Sequence, residues 1–136
     1  MAIPVITLLV TSVLIGIQLV LTAIVIKARR GSQITVGSEG APGLERAIRT
    51  HGNFTEATPI FLISLLLLEL VDSYLWWVAI LGVIFISGRV LHARSLLVTE
   101  LRSGSYRQRV LGMMLTMSSL TASAISGVVW IMWNLL

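Results

Sequence analysis

The chain has 136 residues and a formal net charge of +4; 56 % of it is apolar and only 12 % charged, about half the roughly 25 % charged of ordinary globular chains. With a mean hydropathy of +0.94, it reads as one all-α integral membrane domain, not a soluble one. It has no cysteine, which excludes disulfides, thiolate metal sites and a cysteine nucleophile.

A span needs about 20 apolar residues, and four segments qualify. The first covers residues 4–30, from "PVITLLV" through "LTAIVI". No basic residue precedes it and it outlasts a signal-peptide core of ~7–15 residues, so it reads as a span. Gln18, Thr22 and Arg29 share one of its faces, and Gln18, at mid-membrane depth, needs a partner on another helix. Residues 31–43, "GSQITVGSEGAPG", read as loop from their glycines and proline. The second helix covers residues 44–71 and opens on a polar stretch, "LERAIRTHGNFTEATP", before the apolar "IFLISLLLLEL". Residues 71–74 read as a tight turn. The third helix covers residues 75–96, residues 97–108 read as a connection, and the fourth helix covers residues 109–135.

Basic residues surround only two of the loops. Lys27, Arg29, Arg30, Arg46 and Arg49 flank residues 31–43; Arg89, Arg94, Arg102, Arg107 and Arg109 flank the third connection. Cations at the ends of apolar segments are a membrane pattern, so no nucleic-acid partner is expected. By the positive-inside bias both basic loops face the cytoplasm and both termini lie outside.

The polar start of the second helix raises a question of chemistry. On a helix, Arg46, Arg49, Asn53 and Glu56 fall within an arc of about 80°, while His51 lies roughly opposite Arg46. Leu44, Ala47 and Ile48 are too few to form an apolar face. The stripe is therefore expected to point at something. Two plainer readings stay open: arginines snorkelling to headgroups, and a structural ion pair between Glu56 and Arg49 or Arg89. Gly82, Phe85, Arg89 and His92 share one face of the third helix, and Arg94 points elsewhere. On the fourth, Gly112, Thr116, Ser119, Ser123 and Ser126 follow Arg109 at steps of three and four, which reads as close helix packing. The histidines are not at metal-ligand spacing, and no metal site is expected. Arginines converging with Glu56 and Asn53 suit a small molecule with several carboxylates and an amine, a description that glutathione meets.

These residues resemble the MAPEG family, the membrane-associated proteins in eicosanoid and glutathione metabolism. The family pattern E-R-x-x-R-x-H-x-N-x-x-E-x-x-P is matched by Glu45, Arg46, Arg49, His51, Asn53, Glu56 and Pro59, and "GRVLH" resembles its third-helix motif. The resemblance is greatest to bacterial members and implies a left-handed four-helix bundle, homotrimeric, in a bacterial inner membrane. It implies glutathione as cosubstrate, held by Arg46, Arg49, Asn53, Glu56, Arg89 and His92, with Lys27 or Arg30 of a neighbouring copy. Arg109 would stabilise the thiolate, which attacks a lipophilic electrophile from the bilayer, as in a glutathione transferase or peroxidase. Leu96 and Met113 stand where eicosanoid-forming members carry tyrosines, which argues against leukotriene or prostaglandin synthesis. A non-catalytic member binding lipid or a partner protein, and a small four-span transporter, remain alternatives.

Overall fold

The computed structural model describes residues 3–71 and 73–135, and among these all regular structure is helical. Helix α1 is Val5–Ser32, α2 is Pro42–Leu70 and α3 is Leu75–Arg94. A π-helical turn, Ser95–Thr99, and a short α4, Glu100–Ser103, prolong α3; α5 is Arg107–Leu135. Counting Leu75–Ser103 as one, four helices are long and apolar enough to cross a membrane. The chain is an integral multi-pass membrane protein. The third connection is much shorter than residues 97–108, because the helix continues to Ser103 and stops where Gly104 turns left-handed at φ 65°. The turn expected at residues 71–74 includes residue 72, which lies outside the described residues.

Two kinds of contact hold the bundle. The first is apolar: Phe61 of α2 stacks on Phe85 of α3 with centroids 3.9 Å apart, both fully buried, among Leu14, Leu65, Val78 and Leu81. Large apolar side chains such as Trp76, Val83, Met114 and Val128 are exposed on the outside. In lipid that carries no penalty, so burial by itself does not drive assembly; close packing and interhelical hydrogen bonds do.

The second kind is polar. Ser119 Oγ donates to the Leu81 carbonyl at 2.9 Å, and Trp77 Nε1 donates to Ser126 Oγ at 2.9 Å. The small residues of α5 thus bond across helices as well as pack. Gln18 finds its partner on α2: its amide nitrogen lies 2.8 Å from His51 Nε2, with the Thr22 hydroxyl 3.2 Å from the same atom. Arg29 donates to the carbonyls of Thr35 and Gly37, tying down the loop after α1.

One contact had no signal in the sequence reading. Glu69, near the end of α2, is 2 % exposed, and its two carboxylate oxygens accept the Ile6 and Thr7 N–H groups at 2.9 and 2.7 Å. Helix α1 has no side-chain cap of its own, since Pro4 precedes it, and its first N–H groups have no intrahelical acceptor. A carboxylate there also complements the helix dipole. Glu69→Gln replaces one charged acceptor by a donor, at an expected cost of about 1.5–3 kcal/mol. Thermal unfolding in detergent followed by circular dichroism should show the lower midpoint; an unchanged midpoint would contradict this role.

Candidate functional site

Three helices converge on one cavity at the arginine-rich end of the bundle. It has a volume of about 540 Å³ and is lined by Arg49, Asn53 and Glu56 of α2, Arg89 and His92 of α3, and Arg109 of α5. Met113, Met117, Leu120, Ala57 and Ile60 form its apolar part. That size lies within the roughly 300–1,000 Å³ of small-molecule sites.

The close crossing of α3 and α5 positions this wall. A Cβ on Gly112 would lie 2.7 Å from both the Gly88 carbonyl oxygen and the His92 nitrogen; one on Gly88 would lie 2.9 Å from the Gly112 carbonyl. Both positions need glycine. Arg89, 6 % exposed, is fixed in this crossing: Nε donates to Thr116 Oγ1 at 3.1 Å and Nη1 to the Asn53 carbonyl at 2.9 Å. Its guanidinium also lies 6.0 Å from the centroid of the Phe85 ring. Arg89 is therefore a rigid cation that clamps α2, α3 and α5 together while facing the cavity.

The α2 residues are held less firmly. Arg49 Nε lies 3.1 Å from Glu45 Oε1, one helical turn back, and both side chains are largely exposed. Such a pair is worth only about 0.3–0.5 kcal/mol, so a ligand carboxylate can recruit Arg49 cheaply. Glu56 is exposed and, among the described residues, forms no ion pair, neither with Arg49 nor with Arg89.

Arg46 departs from the expected stripe. It does not line the cavity: Nη1 lies 3.8 Å from Glu100 Oε2 and 3.5 Å from the Leu96 carbonyl. Glu100, its side chain 5 % exposed, also lies 3.6 Å from Arg109 Nη1 and accepts the Ser95 hydroxyl at 3.1 Å. A buried carboxylate requires such partners, and it draws Arg46 away from the other stripe residues. The apolar face thought too small on the first half of α2 also exists: Leu44, Ala47, Thr50 and Phe54 are all buried. Lys27 and Arg30 are exposed near the end of α1 and do not line the cavity within one chain. His51 faces α1, away from it.

Comparison with known proteins decides the family: residues 7–129 match the model of the MAPEG family. The chain belongs to the MAPEG family. Among curated MAPEG-like relatives it is similar to the inner membrane protein YecN of Escherichia coli K12, and equally to YecN of the O6:H1 strain CFT073, at 34 % identity over 68 residues. The match covers 50 % of this chain and 52 % of either YecN, so the chain spans about half the length of the curated relatives it matches. This MAPEG chain carries the stripe Arg49, Asn53 and Glu56 on a cavity wall and diverts Arg46 to Glu100.

Proposed function

We propose that the cavity binds glutathione and presents its thiol to lipophilic electrophiles, making the chain a membrane glutathione transferase or peroxidase. One observation carries this reading: recruitable Arg49, exposed Glu56, clamped Arg89 and Arg109 line one cavity above an apolar, methionine-rich wall. Two carboxylates need two cations and one amine needs an anion, and the residues present match that demand. Arg49 takes one carboxylate by paired hydrogen bonds. Glu56 takes the amine, and Asn53 offers its side-chain amide to the peptide groups. Assembly as a trimer would bring an exposed cation of a neighbouring copy, Arg30, to the second carboxylate.

The thiol then lies towards Arg109 and the methionines. A nearby cation lowers a thiol pKa from ~8.5 towards neutrality. The thiolate sulfur donates its electron pair to the electrophilic carbon, a C–S bond forms, and the leaving group departs with its bonding pair. With a lipid hydroperoxide the sulfur takes the terminal oxygen and the O–O bond breaks. The alkoxide is protonated to the alcohol, and a second glutathione converts the sulfenic acid to disulfide and water.

Arg109→Ala should leave glutathione affinity within a few-fold of the parent but abolish the ultraviolet thiolate absorbance at neutral pH. Retained thiolate in that variant would remove Arg109 from the role. Binding without turnover is favoured by one contact, the 3.6 Å approach of Glu100 to Arg109, which offsets the cation. Glutathione calorimetry, followed by conjugation assays with a lipophilic electrophile, separates the two readings: binding without conjugation supports the second, and no binding refutes both.

The orientation proposed is cytoplasmic for both basic loops, in a bacterial inner membrane, the location printed in the name of the YecN relatives. A periplasmic-active reporter fused after Leu136 should be active, and the same reporter within residues 31–43 silent. The opposite pattern would put the cavity on the other side of the membrane.

A further inference from the structure

A second cavity, of about 450 Å³, lies between α1 and α3 on the flank away from α5. Its origin is geometric. Helices α1 and α3 touch where a Cβ on Gly82 would lie 2.6 Å from Val10 Cγ2. Further along α1, Gly16 has nothing within 4 Å of the position its Cβ would take. The resulting groove is apolar, floored by Val20, Leu21 and Ile24 of α1 and by Val90 and Leu97 on the α3 side. Arg94 is its one charged lining residue.

Arg94 is exposed and, among the described residues, makes neither an ion pair nor a side-chain hydrogen bond. It is the one arginine of the third-helix motif region that the glutathione cavity does not use. On α1 the residues facing the groove recur as Val13, Gly16, Val20 and Ile24, and the next step of three is Lys27, exposed and, among the described residues, without an ion pair. Arg94 thus lines an apolar groove near the arginine-rich end of both helices, with Lys27 following on the same face of α1, at the depth where arginine and lysine snorkel to headgroups.

We infer that this groove is a binding site for an anionic phospholipid: one acyl chain lies between α1 and α3, and the phosphodiester is held by Arg94 and Lys27. Bulk lipid would wet the same surface without preference for headgroup and would leave with detergent exchange. A built site keeps its lipid and selects its charge. Each cation near such a headgroup contributes roughly 1 kcal/mol, about fivefold in affinity. The inference is independent of what the glutathione cavity binds.

The test is native mass spectrometry of the full chain in neutral detergent, with phosphatidylglycerol and phosphatidylcholine of identical acyl chains added in turn. Phosphatidylglycerol adducts should exceed phosphatidylcholine adducts about 25-fold, fivefold for each of the two cations. Arg94→Gln should cut that preference about fivefold without lowering thermal stability, and Arg94→Gln with Lys27→Gln should abolish it. Gly16→Leu, whose side chain has room in the slot, should lower retention of both lipids. Lysophosphatidylglycerol should compete, and glycerol 3-phosphate, lacking the chain, should not. Equal retention of both lipids, or an unchanged preference in Arg94→Gln, overturns the site. Competition by glycerol 3-phosphate would show a phosphate site without an acyl groove and would equally refute the inference.

Discussion

Arg49→Ala and Glu56→Gln should each weaken glutathione binding by roughly 30-fold to several thousand-fold while the protein stays assembled. The magnitude follows from truncating one partner of a desolvated charge pair, about 2–5 kcal/mol. The structure sharpens the expectation in two ways. Among the described residues Arg49 forms an ion pair with Glu45 alone, on an exposed surface, so its loss should hardly alter unfolding of the free protein. Glu56 is exposed and pairs with no cation among the described residues, so neutralising it strands no buried charge. Any large effect must then come from the ligand. His51→Ala is the contrasting variant: it removes the partner of Gln18 and Thr22 and should reduce stability with little direct effect on affinity. Calorimetry beside thermal unfolding reads both quantities. Parental glutathione affinity in both Arg49→Ala and Glu56→Gln would make the stripe a solvated helix end.

Gly112→Ala should be strongly damaging although it adds a single methyl. The added carbon would sit 2.7 Å from two main-chain atoms, the Gly88 oxygen and the His92 nitrogen. Main-chain atoms inside a helix cannot rotate away as a side chain can. Overpacking costs about 1–3 kcal/mol even where side chains relax, and here whole helices must separate. Because Arg89 spans the same crossing to reach Thr116 and the Asn53 carbonyl, separation also spoils the cavity. We expect a sharply lower unfolding midpoint together with lost glutathione binding. Gly127→Ala, on the same helix with nothing within 4 Å, should be close to neutral. If the two variants melt alike, the close crossing is not what holds α3 to α5.

What the sequence revealed followed from periodicity, and what it hid followed from distance along the chain. Arg49, Asn53 and Glu56 share a face by spacing alone, and "GRVLH" placed Arg89 and His92 on another. The need of Gln18 for a partner on another helix could be read from its depth, though not that His51 would meet it. The direction of Arg46 could not be read from spacing because it depends on Glu100, far along the chain, in a segment whose polar "TELRSGS" reads as loop. The π-turn that carries the third helix on to Ser103 has no hydrophobic period to betray it. The α5 serines read as spacers because a hydroxyl suited to packing and one suited to bonding are the same residue; only the opposing Leu81 carbonyl and Trp77 indole distinguish them. Glu69, in the run "LLLLEL", gave no hint of its partner because the groups it satisfies are main-chain N–H groups, which no residue type encodes.

The Glu69 contact also sets an order of events in synthesis. Its acceptor oxygens are made 63 residues after the Ile6 N–H they satisfy. At about 5–20 residues per second, α1 waits roughly 3–13 s with its leading N–H groups bound only to water or headgroups. Until then its N-terminal end cannot sink past the interface without stranding them, since lipid offers no substitute acceptor. The first and second helices are therefore expected to complete their insertion as a hairpin, locked when the end of α2 arrives.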